Sequence, residues 1–354
     1  MTQNRRQRQL ALTPLLLPGY GLENVMKAVQ LVGFGGPETL VVVDVPTPEV
    51  GPREVLIRVK ASGVNFAETA MRQNRYAMTP PLPSILGSEV AGIVEAVGAE
   101  VEGVAIGDRV AGSAFAAGQF FGGYAEYMVC DVDFVTPVPA DLSFEHAVAL
   151  MVQGLTAFYL LERAPAVGKQ VLVSAAAGGV GSLLVQLAKR SGAGQVIAAA
   201  STEDKRAFAC SLGADSAVDY TADGWSQAVR DLTGGAGADV IYESVGGAVT
   251  RESLKALAPL GELVIFGSLN ILDFNLGVPD LLGMIFQNQS VTGFATVPLL
   301  TPQSLRDGLT HLFTMAASGE LKVTIGGVFP LEQAGEAHRA LESRQTRGKV
   351  VLVP

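Results

Sequence analysis

Residues 171–193 read VLVSAAAGGVGSLLVQLAKRSGA, and the fold turns on this stretch. An apolar strand runs into Ala177, Gly178, Gly179, Val180 and Gly181, and a helix with apolar residues at helical spacing begins there. Missing side chains let the backbone approach a pyrophosphate, and the first turn of the helix offers N–H donors at the positive end of its dipole. Gly181 lets the helix pack tightly on the strand. The usual first glycine of such a turn is Ala176 here. The strand before it, the helix after it and a second strand, QVIAAAS at 195–201, favour a dinucleotide site over a plain strand-to-helix turn.

The second strand ends in Ala198, Ala199, Ala200, Ser201 and Thr202. A site for NAD usually places a carboxylate about 20 residues beyond the glycines; here there is none to repel a 2′-phosphate. Ser201 and Thr202 can donate hydrogen bonds to phosphate, and Lys205, one turn further, can supply charge. Glu203 and Asp204 sit at a helix start, where they suit the dipole. The pattern predicts NADPH as cofactor.

Working outward, strands and helices alternate through SLLVQLAKRSG, QVIAAAS, EDKRAFACSLG, SAVDY, DVIYES and GELVIFGS, which predicts βαβ units and a parallel sheet. Upstream lie the short strands KAVQLV, LVVVDV, EVLIRVKASG, VAGIVEAVG, DRVAGS and AEYMVC, separated by Gly/Pro clusters, as in a barrel-like β domain. One helical run, FEHAVALMVQGLTAFYLLER, joins the halves. After Pro298 come a helix, a strand near VTIGGVFP, a second helix and the strand KVVLVP, expected to return to the β domain. The class is α/β. The expected organisation is a disordered extension over 1–25, the β domain over 26–148, the dinucleotide domain over 149–297 and the return over 298–354.

The 354 residues, 49 % of them hydrophobic, suffice for two domains of ordinary size. A net charge of −9 without a basic stripe argues against a nucleic-acid or anionic-membrane binder. Two cysteines, Cys130 and Cys210, and three histidines, His146, His311 and His338, exclude a disulfide framework and a Cys-rich metal lobe. Both cysteines stand in apolar surroundings and are expected to be core thiols in a reducing, cytoplasmic setting. No apolar run reads as long enough to span a bilayer.

The motifs KASGVNFAET, LGSEVAGIVEAVG, GDRV, GGYAEY, VQGLTA, AAAGGVG, STEDKRAFACSLGAD, YESVGG, IFGS and GKVVLVP together resemble the medium-chain dehydrogenase/reductase superfamily, in its zinc-free, zeta-crystallin-like quinone oxidoreductase branch. The resemblance implies a GroES-like β-rich catalytic domain and a Rossmann domain with the active site between them. Zinc alcohol dehydrogenases carry a cysteine where this chain has Asn65, and a histidine where it has Ser88, between Gly87 and Glu89. Asparagine and serine are poor zinc ligands, so no metal is expected. Without that Lewis acid, hydride transfer to a quinone or an α,β-unsaturated carbonyl is the favoured chemistry.

By the same resemblance, Lys205 meets the 2′-phosphate and Tyr220 packs near it. Gln153 and Thr156 line the nicotinamide side, Ser244 and Val245 lie beside its ribose, and Phe266, Gly267 and Ser268 form the next strand end. Lys349 reaches into the cleft. Asn65, at the position of a zinc ligand, is the first candidate to stabilise negative charge on the acceptor oxygen. Tyr76 and Arg72, read as lying on the following loop, are further catalytic candidates. Relatives often carry a tyrosine at the position of Ala70, so the proton donor is left open. The family implies a homodimer or homotetramer joined through Rossmann edge strands, with SVTGFATV as the seam. An enoyl or alkenal reductase and a non-catalytic NADPH-binding protein remain as alternatives.

Overall fold

The computed structural model describes residues 24–267 and 275–354; Ser268 and the segment 1–23 lie outside the described residues. The β-rich part contains β1 (Val25–Leu31), β2 (Leu40–Pro46), β3 (Glu54–Val64), helix α1 (Phe66–Arg72), β4 (Ser84–Ile85), β5 (Val90–Val97), β6 (Arg109–Gly112), β7 (Tyr127–Asp131) and β8 (Val135–Pro137). β3 is its spine, pairing antiparallel with β5 and with β7. Val55, Ile57 and Val59, at the two-residue period of a strand, fill one cluster with Val90, Val94, Val110 and Cys130.

The joining segment is α2 (Phe144–Leu150) followed by α3 (Val152–Arg163), not one helix. The break falls at Met151, with φ −72° and ψ −96°. Its partner lies elsewhere in the chain: the Val152 amide donates to Glu89 Oε2 at 2.8 Å. The run Phe144–Arg163 is long and apolar enough to cross a membrane by length and composition, contrary to the reading from sequence. Here 56 % of it is buried inside the protein, where its apolar residues join the main core.

The second part alternates β9 (Gln170–Val173), α4 (Gly179–Arg190), β10 (Gln195–Ala199), α5 (Glu203–Ser211), β11 (Ser216–Val218), α6 (Trp225–Leu232), β12 (Ala238–Glu243), α7 (Ala248–Ala256), β13 (Leu257–Ile265), α8 (Val278–Gln287) and β14 (Ser290–Gly293). All pairs are parallel, in the order β11-β10-β9-β12-β13-β14. This is the doubly wound Rossmann order, whose ligand crevice opens where β9 and β12 diverge. Both faces are covered, so the strands read as continuous apolar runs. Val171, Val173, Val196 and Ala198 face one cluster; Leu172, Ile197 and Ala199 face the other.

The chain then adds α9 (Pro302–Ala317), β15 (Ile325–Pro330), α10 (Ala334–Glu342) and β16 (Lys349–Val353). β16 pairs parallel with β15 and antiparallel with β3, inside the GroES-like sheet. One core cluster spans both parts, from Ala61 and Val351 through Leu150 and Leu155 to Leu184. Cys130 is buried as expected, but Cys210 is exposed, because α5 turns Ala209 inward and its neighbour outward.

Candidate active site

The glycine turn has the expected shape. Gly178 caps α4 without any side-chain hydrogen bond, which leaves the first-turn amides to an anionic ligand. A Cβ on Gly181 would stand 2.4 Å from the Ala175 carbonyl oxygen, so only glycine allows this approach of helix to strand. A Cβ on Gly179 would stand 2.0 Å from the Gln153 side chain, so Gln153 of α3 lies directly over the turn. The Gly348 amide donates to Ala177 O at 3.0 Å, stitching the start of β16 to the same turn.

That stitch places Lys349 at the centre of a buried polar cluster. Its Nζ donates to Glu89 Oε1 at 2.5 Å and to Asn65 Oδ1 at 2.6 Å. Asn65 Nδ2 donates to Glu89 Oε1 at 2.8 Å. The Asn65 amide is thereby oriented, oxygen to the ammonium and nitrogen to the carboxylate, and its second N–H remains to be placed. The local sequence makes room. A Cβ on Gly63 would strike Glu89, and Gly87 has φ +93°, with Tyr124 and Gly123 packed where its side chain would be.

Glu68 completes the cluster. Its Oε2 accepts the backbone N–H of Asn65 at 2.9 Å, and its Oε1 accepts the Ser88 hydroxyl at 3.3 Å. Burial raises its carboxyl to about 7; Lys349 pulls it down and Glu89 pushes it up. Tyr76, 40 % exposed on the loop after α1, lies close enough that burial and then the charge of Glu68 raise its phenol.

Arg72 does not belong here. It is in the last turn of α1, is 1 % exposed and points away from the cluster. Its guanidinium donates to His338 Nδ1 at 3.3 Å, to Gly35 O and to Glu342. The reading of Arg72 as a residue of the following loop is therefore corrected: it ends α1, and its Nε, Nη1 and Nη2 each donate, joining α1 to α10 and to the turn after β1. Because an arginine can only donate, His338 accepts at Nδ1 and carries its proton on Nε2, which faces the Tyr124 hydroxyl at 3.0 Å.

At the far end of the crevice, Thr202 caps α5 by accepting the Lys205 amide at 3.3 Å, and Ser201 precedes it. Lys205 Nζ donates to the Arg344 carbonyl. Burial and then Arg347 and Arg344 lower the Lys205 ammonium, so three cations gather here. Asp204 turns aside to Arg347, at 3.3 Å. Tyr220 follows β11 and packs against the cluster around Ile197. At the ends of the central strands, the Ser244 amide donates to Ser174 Oγ at 2.9 Å, Val245 is buried and Gly267 lies against Ser244. Phe266 follows β13 and packs on the main core, while the Thr156 hydroxyl turns back to Val152 O and to Thr296.

The structure thus gathers Asn65, Gln153, Lys349 and residues 177–181 in one place, and Ser201, Thr202 and Lys205 in another. Glu68, Arg344 and Arg347 went unread in the sequence. Glu68 had a signal, its capping-box spacing from Asn65. The two arginines had none, since they meet Lys205 through the fold. Among the described residues no group of three or more His, Cys, Asp or Glu could hold a metal.

Comparison with known proteins agrees with this fold. The family model for the alcohol dehydrogenase GroES-like domain matches residues 51–140, and that for zinc-binding dehydrogenase matches 179–313. A quinone oxidoreductase of Pseudomonas aeruginosa is 38 % identical, across 93 % of this chain and 99 % of its own. A 2-haloacrylate reductase of Burkholderia is 34 % identical, across 90 % and 96 %. The Escherichia coli quinone oxidoreductase solved with NADPH superposes with a TM-score of 0.85 at 33 % identity, covering 93 % of this chain and 100 % of that one.

Proposed function

The chain belongs to the quinone oxidoreductases of the medium-chain dehydrogenase/reductase superfamily, and we propose that it is a zinc-independent oxidoreductase that uses NADPH to reduce quinones. One observation carries the reading: the Asn65–Glu89–Lys349 cluster is stitched by Gly348 directly onto the glycine turn.

The residues present fit the cofactor. The uncapped α4 N-terminus and Gly179 would hold the pyrophosphate, with Gln153 over the same turn. Ser201, Thr202 and Lys205, joined by Arg344 and Arg347, would hold the 2′-phosphate. Ser244, Val245, Phe266 and Gly267 supply the wall at the strand ends. When bound, NADPH supplies the hydride. Asn65, its amide fixed by Lys349 and Glu89, directs its remaining N–H at the acceptor oxygen, where negative charge develops. Tyr76 contributes an aromatic face to the acceptor.

A catalytic zinc does not fit. Asn65 and Ser88 are poor ligands, and the Lys349 ammonium, bonded to both Asn65 and Glu89, repels a dication from the same oxygens. The 2-haloacrylate reductase among the relatives favours a second reading, reduction of an activated alkene in the same cleft. For the assembly we assign a homodimer through β14, one of the two edge strands of the parallel sheet. The neighbouring α8 exposes Leu281, Ile285 and Phe286, the last at 80 %. The unpaired cysteines suit a cytoplasmic setting.

Titration with NADPH and NADH, followed by NADPH oxidation with 1,2-naphthoquinone, 1,4-benzoquinone and a simple enone, tests the reading. Preference for NADPH with quinone turnover is the expected result. Turnover of the enone alone selects the second reading, and tight NADPH binding with no turnover selects a non-catalytic binding protein.

A further inference from the structure

We propose that Glu68 is the proton store of this site and that it delivers its proton to the acceptor oxygen through the hydroxyl of Ser88. The inference rests on the oxidoreductase reading above and supplies what that reading lacks, a source for the proton that must accompany the hydride.

The argument begins with charge. Two carboxylates and one ammonium share a buried cluster: Glu68 is 2 % exposed, and Glu89 and Lys349 are 0 %. Glu89 takes Lys349 for itself, and adds the Asn65 Nδ2 and Val152 N–H donors. Glu68 is left with the backbone N–H groups of Asn65 and of its own residue and one hydroxyl at 3.3 Å. These neutral donors do not compensate a fully buried negative charge. The other titratable groups near it, Tyr76 on the loop after α1 and Tyr124 beside Gly87, are pushed up first by burial and then by its charge. Arg72, on the same helix, is committed to Glu342. The Glu68 carboxyl, raised to about 7, therefore exists in both protonated and ionised forms around neutral pH and can hold or release a proton there.

The route follows from the hydrogen bonds. Oε2 accepts a backbone amide, so the acid proton resides on Oε1, which faces Ser88 Oγ. The Ser88 hydroxyl, which donates to Oε1 when Glu68 is a carboxylate, turns to accept from it when Glu68 is protonated and to donate onward. Reduction adds hydride, two electrons and one hydrogen, to the acceptor carbon or ring. As negative charge grows on the carbonyl oxygen, the Ser88 O–H bond breaks towards it and the Glu68 O–H bond breaks towards Ser88 Oγ. Serine ends neutral, the acceptor gains one proton and Glu68 is left as carboxylate, to be reprotonated from solvent. Glu68 acts through Ser88, whose hydroxyl is the last donor of the proposed relay.

The test compares full-length wild type, Glu68→Gln, Glu68→Asp and Ser88→Ala. Glutamine keeps an oxygen for the Asn65 amide but has no acid proton. In wild type, kcat with an enone at saturating NADPH is expected to fall as pH rises through about 7. Glu68→Gln is expected to lose about 100-fold in kcat below that pH and to lose the inflection. Ser88→Ala should match it, the double variant should lose no more, and Glu68→Asp should restore an inflection. NADPH affinity should change less than about twofold throughout. Independently of turnover, the protonated-carboxyl band that wild type loses between about pH 6 and 8 in infrared difference spectra should be weaker in Glu68→Gln. An unchanged inflection in Glu68→Gln, or a band of undiminished intensity over that range, would overturn the proposal while leaving the oxidoreductase reading intact. Absence of turnover with every acceptor removes that reading, and the relay with it.

Discussion

Lys349 Nζ and Glu89 Oε1 meet at 2.5 Å with both side chains fully buried, 260 residues apart in the chain. A buried pair is broken at high cost when one partner is removed, because the other charge is stranded. Lys349→Met and Glu89→Gln are each expected to destabilise the protein by about 3–5 kcal/mol in urea unfolding. The double variant should lose much less than the sum, since no lone charge remains. Additive losses would mean that the two groups do not depend on each other.

Lys205→Ala addresses cofactor choice. Removing a charged donor to phosphate costs about 1.5–3 kcal/mol, so the Kd for NADPH is expected to rise about 10- to 100-fold. Affinity for NADH, which lacks the 2′-phosphate, should hardly change. Equal losses for both cofactors would place the lysine elsewhere.

Arg72→Lys separates scaffold from chemistry. Lysine cannot hold His338, Gly35 O and Glu342 at once. Thermal unfolding should shift down, by about 3 kcal/mol in stability, while kcat per folded molecule stays within about twofold. A kcat loss beyond tenfold with stability unchanged would restore the catalytic role that the loop reading assigned to it.

The pH profile of stability carries two opposed contributions. Burial, and then Arg72, lowers the His338 imidazole to about 3 from 6.5. The unfolded chain takes up this proton first, so stability present above about pH 6.5 is lost as pH falls towards 3. Glu68 has the opposite sign. Its carboxyl is raised from 4.5 to about 7, so its contribution is complete below 4.5 and is lost as pH rises to about 7. Glu68→Gln removes the second contribution. Its urea midpoint should therefore climb more steeply than that of wild type between about pH 4.5 and 6.5.

The assembly is checked by Phe286→Asp. Analytical ultracentrifugation is expected to show a dimer for wild type and monomers for the variant, with NADPH binding retained. A variant that stays dimeric would move the interface away from α8.

Much of this was legible because it is local. QVLV and QVIAA are short apolar runs bounded by glycine, and the cofactor turn between them is contiguous. What escaped depends on distant partners. Nothing near Met151 breaks a helix; the amide that ends the run is drawn to Glu89, 63 residues earlier. RQNRY reads as a polar loop, yet Arg72 turns inward because Glu342 waits 270 residues on. Cys210 misled through its apolar neighbours, since exposure on a helix follows the 3.6-residue period and not adjacency.

The placement of β16 sets the order in which the molecule can be finished. During synthesis β3 and β5 emerge early, but the strand that pairs beside β3 carries a lysine that neutralises Glu89 from 260 residues further on. Until then the nascent β domain has an open seam and a carboxylate with no countercharge. The nucleotide domain, whose parallel strands are close in sequence, can assemble first and serve as the platform on which that seam closes. The buried polar cluster thus waits on β16, and a ribosome-bound chain stalled before Lys349 lacks the ammonium that neutralises Glu89.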